Sequence, residues 1–177
     1  MRHPHAKLSA FALVAVLLAC GASDAIKSFR VALASSTPLV NSLVSTGAIK
    51  QSQATAIISD FDSGTACALT MQTAFTASKD LQGRERTTAR LNASVEGLKC
   101  FRAISARRNF DTHPRVRQAA DIAEGILASL VVFYSDDGPM RASAEGVATV
   151  RTAPDEKELE RRLKQQVDLL KDALKAN

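Results

Sequence analysis

Apolar side chains recur every three or four positions through most of residues 37–135, and this spacing constrains the fold more than any motif in the chain. Between about Arg84 and Arg108, Leu91, Val95, Leu98, Phe101 and Ile104 follow that interval. A segment from about Lys50 to Ser78 carries Ala54, Ile57, Ile58, Phe61, Ala68, Leu69 and Phe75 with mostly the same spacing, and Gly64 is expected to bend or split it. From about Pro114 to Tyr134, Val116, Ala120, Ala123, Ile126, Leu127, Leu130 and Val131 are assigned inward. The second half of that segment is nearly all apolar, which suits the centre of a bundle; a helix dipping into a membrane is the rival assignment. Thr37-Pro38 opens a shorter helix with Leu39, Val40, Leu43 and Val44 on one face and Gly47 at its end. Aromatics are only 5 % of the chain, with no Trp and one Tyr. A core of small aliphatic side chains favours helix packed on helix.

The expected fold is therefore all-α, a four- or five-helix bundle behind a cleaved N-terminal signal segment, with its core at residues 37–135. Residues 136–153 read as a linker turning at Asp136-Asp137-Gly138-Pro139, and residues 154–177 as an amphipathic C-terminal helix. In that helix Leu163, Val167, Leu170 and Leu174 are spaced by 4, 3 and 4, a two-heptad seam. The seam either docks on its own domain or serves self-association or a partner.

The first 19 residues obey a different rule. Arg2 and Lys7 precede a nearly unbroken apolar stretch from Leu8 to Ala19. About twelve apolar residues fall short of the roughly twenty that span a bilayer. A basic start, a short apolar run and small residues after it describe a cleaved secretory signal, with a buried N-terminal helix as the alternative. Export then follows as an expectation.

The run closes in Leu17-Leu18-Ala19-Cys20, followed by Gly21. This segment resembles bacterial lipoprotein precursors, whose lipobox ends in Leu-x-(Ala/Gly)-Cys. The resemblance covers the first two dozen residues and leaves the mature domain unassigned. It implies acylation of the Cys20 thiol, cleavage before Cys20, and residues 20–36 as a lipidated tether or short helix. Gly21 after the cysteine implies an outer-membrane destination over an inner one. Two or more acyl chains hold a protein stably on a membrane. Plain secretion with cleavage after Ala25, behind Ser23-Asp24-Ala25, is the competing outcome.

In an oxidising compartment the remaining thiols, Cys67 and Cys100, are expected to form a disulfide. They lie 15 residues before and 18 after a helix turn near residue 82, so antiparallel helices bring them to similar levels. Two buried free thiols are the alternative.

Few groups offer chemistry. His113 is the one histidine after the signal, and it stands before Pro114, where helix entry explains it. Cys67, Cys100 and His113 lack the paired spacing of zinc modules. Asp60-Phe61-Asp62-Ser63-Gly64 puts Gly fifth and Met71 twelfth, where a calcium loop needs Gly sixth and Glu twelfth. Asp60 and Asp62 are accordingly placed on a solvated face or at a helix break. No phosphate loop, nucleophile elbow or dinucleotide fingerprint occurs. The expectation is a protein without cofactor, metal or enzymatic activity.

Charge is concentrated in one place. From Lys79 to Arg117 there are ten Lys/Arg against four Asp/Glu. Arg84, Arg86, Arg90, Arg102, Arg107, Arg108, Arg115 and Arg117 are expected to contact an anionic surface such as lipid head groups or acidic polymers. Nucleic acid is not expected, because no aromatic residues are interleaved for base stacking. The combined expectation is a membrane-anchored envelope protein on the periplasmic side with a structural or interaction role. Its alternatives are a module binding a small apolar ligand between helices near Ile126 to Tyr134, and a plainly secreted periplasmic helical protein.

Overall fold

The computed structural model describes residues 21–136 and 156–175. Among them are six α-helices: α1 (Gly21–Ala34), α2 (Thr37–Ser45), α3 (Gln51–Ala77), α4 (Gly83–Ser105), α5 (Pro114–Asp136) and α6 (Glu156–Leu174). Two short 3-10 turns, Ser78–Asp80 and Asn109–Thr112, flank α4. No strand occurs among the described residues, so the all-helical expectation holds. The signal segment and Cys20 lie outside the described residues, as does the expected linker beyond Asp136.

The five long helices close a ring. Helix α1 packs on α3 and α6, α3 on α4, α4 on α5, and α5 on α6. Within a mostly aliphatic interior, aromatic rings meet in two groups. Phe61 and Phe110 meet with ring centres 4.9 Å apart, and Phe101 stacks on Phe110 at 6.1 Å. Phe75 meets Tyr134 edge to face at 5.6 Å.

Of the two expectations for segment 20–36, residues 21–34 take the short helix, with Ala22, Ala25, Ile26, Phe29, Ala32 and Leu33 all buried. Their spacing of three and four residues makes one wall of the core.

Local chemistry explains the boundaries. After α2 the chain turns through Gly47 at φ +72°, where L side chains are strained. The Gly47 and Ala48 amides donate to the carbonyls of Val44 and Leu43 at 2.9 Å each, which is the Schellman ending of a helix. Gln53 Oε1 accepts the Lys50 amide at 2.8 Å and steadies the first turn of α3. His113 Nδ1 accepts the Arg115 amide at 3.2 Å, so this side chain caps α5.

Gly64 does not divide α3, which runs unbroken for 27 residues. Its missing side chain instead admits Phe101: a Cβ there would stand 3.0 Å from the ring. Leu69 is another departure, pointing outward at 47 % exposure although its spacing assigns it inward. Val131 is only half-buried.

Helix α6 buries Leu159, Leu163, Val167, Leu170 and Leu174. They pack on α1 and α5 of the same chain, so the seam is not a free partner face. Such an amphipathic helix, with Glu156 and Glu158 at its positive end, hides its apolar stripe in the nearest groove.

Candidate functional site

The expected basic face does not exist as one surface. Helix α4 is about 33 Å long, and its arginines are divided between its ends. Arg84 and Arg86 sit at the α3–α4 turn, where Arg86 donates to the carbonyls of Leu81 at 2.7 Å and Lys79 at 3.0 Å. Arg107, Arg108, Arg115 and Arg117 lie at the opposite end. Most are already committed within the fold. Arg102 pairs with Glu124 at 2.7 Å, Arg117 with Asp111 at 3.0 Å and Asp121 at 2.8 Å, and Arg115 donates to the Lys175 carbonyl at 2.7 Å.

Arg90 is removed from the surface altogether, with its side chain 2 % exposed. Its guanidinium donates to Glu156 at 2.7 Å and to the Ser78 hydroxyl at 3.3 Å, and lies 5.7 Å from the Phe75 ring centre. A buried cation needs this much compensation. The Tyr134 hydroxyl is 3.5 Å away. Burial drives the Tyr134 phenol up to about 12, against the opposing pull of Arg90. The cluster ties α4, α5, α6 and the 3-10 turn after α3 together.

A second buried charge corrects the reading of Asp60. It is 2 % exposed on unbroken α3 and accepts from Arg107 at 3.0 Å and Asn109 at 2.8 Å, while Asp62 is solvent-exposed. Those two donors flank Arg108, which holds φ +62°. A left-handed arginine costs about 1 kcal/mol or more and needs neighbours that fix it. The carboxylate provides that by holding both neighbours.

Cys67 and Cys100 are bonded across α3 and α4, with Cα atoms 6.0 Å apart. Along the outer face of the same pair runs an open groove of about 820 Å³. Its walls are small and aliphatic: Ala66, Met71, Ala93, Gly97, Ala103 and the two cysteines among them, with Glu96 and Arg107 on the rim. The volume falls in the range of small-molecule sites. The interior near Ile126, Leu130 and Leu163, where an apolar ligand was expected, has no room for a water molecule. The signal for the groove is a run of alanine and glycine on the outward sides of two helices, which periodicity analysis counts as core.

Asp136 ends α5 and is part of the helix rather than of a turn. Asp137, Gly138 and Pro139 lie outside the described residues. No set of three His, Cys, Asp or Glu side chains among the described residues is placed to hold a metal ion. No helix among them is long and apolar enough to cross a membrane. Comparison with known proteins yields no match: no family model, curated protein or solved structure is significantly similar to the chain.

Proposed function

We propose that this protein is an envelope lipoprotein, acylated on Cys20, whose helical bundle has a structural or interaction role at a bacterial membrane. One observation carries the reading. Helix α1 is already packed two residues after the lipobox cysteine, with Ala22, Ser23 and Ala25 buried. Cleavage before Cys20 keeps every described residue of α1. Cleavage after Ala25 removes residues 21–25 of α1 and the buried side chains of Ala22, Ser23 and Ala25, which argues against the secretory alternative. A disulfide between Cys67 and Cys100 also suits an oxidising compartment.

Intact mass and membrane fractionation of the wild type and of Cys20→Ser test this reading. The wild type is expected in the membrane fraction with a mass that starts at Cys20 plus acyl groups. The variant is expected to be unlipidated and to leave that fraction. A wild-type chain that retains Met1 overturns the reading.

A second reading, a module for an elongated aliphatic ligand, is favoured by the α3–α4 groove. Ala66 and Ala103 are exposed on its walls, so Ala66→Phe with Ala103→Phe fills it without disturbing the core. Binding of a fluorescent long-chain fatty acid that is lost in this double variant supports the reading; no binding by the wild type ends it.

A further inference from the structure

We propose that the bundle stands end-on against the bilayer, with the α3–α4 turn, residues 78–84, as its membrane-facing end. This rests on acylation of Cys20 and adds an orientation to it.

Side-chain contacts fix the directions of the long helices. Arg90 near the start of α4, Tyr134 near the end of α5, Glu156 at the start of α6 and Ser78 after α3 meet in one cluster. That cluster marks one end of the ring. Arg115 at the start of α5 and Lys175 after α6 meet at the other end.

Helix α1 can be placed between them. Leu33 lies beside Gly64, which faces Phe101, eleven residues along α4 from Arg90. That is about 16 Å from the cluster. Ile26 lies with Leu130, only four residues from Tyr134, or about 6 Å from the cluster. Helix α1 therefore starts at the cluster end and runs away from it. Its partner α6 runs the same way: Asp24 and Ser28 share a surface cleft with Glu160, Lys164 and Asp168.

No spacer separates the acyl-bearing residue from this framework. Gly21 already belongs to α1, and Ala22, Ser23 and Ala25 are packed, so the start of the helix is held in place. A lipid on Cys20 brings the cluster end within one residue's reach of the membrane surface, about 4 Å. Lys79 and Arg84 on the turn are matched by Asp80 and Glu85, so the orientation follows from the anchor and the direction of α1 rather than from charge. Arg107 and Arg108 lie on the far end, beyond contact with that surface.

The chain contains no tryptophan, so a single introduced one reports position without background. Gln82→Trp marks the turn and Gln118→Trp, on the exposed side of the first turns of α5, marks the opposite end. Both are produced as full-length exported protein, checked for the acyl mass, and reconstituted in anionic vesicles containing brominated phospholipid. Strong quenching at position 82 and little at position 118 is the expected result. A six-residue Gly/Ser spacer inserted between Cys20 and Gly21 is expected to reduce quenching at position 82 while leaving the acyl mass unchanged. Equal quenching at both positions in acylated, vesicle-bound protein overturns the orientation and leaves the lipoprotein reading standing. Absence of the acyl mass overturns both.

Discussion

At the scale of single residues the informative groups are those whose character conflicts with their surroundings. Arg90 and Glu156 form a pair of unequal burial, with side chains 2 % and 38 % exposed. Removing the acid leaves an uncompensated cation inside the bundle, whereas removing the cation leaves an acid that water can reach. Glu156→Ala is expected to cost about 2–3 kcal/mol, the lower end for a broken buried pair because the carboxylate is partly solvated. Arg90→Met keeps the volume and discards the buried charge, so its cost is expected to be about 1 kcal/mol or less. Urea denaturation of both variants checks the order, and a larger loss for Arg90→Met refutes it. Tyr134 supplies a pH dependence. Its folded-state value of about 12 lies above the ordinary 10.0, so the neutral phenol is favoured by folding. The associated stability is intact below pH 10 and drains as the pH rises through 10 to 12. It amounts to about 2–3 kcal/mol. Melting temperatures across that range are expected to fall more steeply for the wild type than for Tyr134→Phe. Because Tyr134 is the only tyrosine, its ionisation can be followed directly by ultraviolet absorbance.

At the scale of elements, three glycines inside helices behave in three ways. A Cβ at Gly125 meets nothing within 4 Å. Gly125→Ala should therefore gain most of the helix-propensity difference and stabilise by about 0.5–1 kcal/mol. At Gly97 the nearest atom is the Met71 sulfur at 3.0 Å, the far end of a flexible chain, so Gly97→Ala should be close to neutral. At Gly64 the neighbour is the Phe101 ring at 3.0 Å, held by Phe110 behind it. Gly64→Ala should destabilise by about 1–3 kcal/mol. Thermal unfolding of the three variants should rank them in that order. The helices themselves were legible because spacing is a local property: α3, α4 and α5 begin and end within a few residues of where their apolar stripes place them. What Gly64 does was not legible, because bending and close approach leave the same residue in the sequence. The same holds for Asp60, whose partners Arg107 and Asn109 are 47 and 49 residues away.

For the whole molecule, the C-terminal seam separates folding from recognition. Leu163, Val167 and Leu170 are buried against α1 and α5, so charged residues there should unfold the bundle rather than abolish a contact selectively. Leu163→Asp is expected to cost more than about 3 kcal/mol. Leu169 is 54 % exposed on the other side of α6, and Leu169→Asp should leave stability within about 0.5 kcal/mol. Circular dichroism melts distinguish the two, and only the second kind of variant is suitable for a search for partners. Heptad spacing identified these leucines as an apolar stripe but not what covers it, since an intramolecular groove and a second chain demand the same pattern. The groove beside the disulfide escaped for the converse reason: alanines facing solvent look, in one dimension, like alanines facing a core.

Closure of the ring has a consequence for the order of events in synthesis. Helices α1 and α5 flank the place that α6 fills, and Ile26, Phe29 and Leu130 face into it with Leu163. A nascent polypeptide that has emerged only as far as α5 lacks the stripe that covers them. Completion of the core must therefore wait for the final helix to leave the ribosome. Until then the polypeptide is kept from its finished compact state, the condition in which a chain can be threaded through a narrow translocation pore.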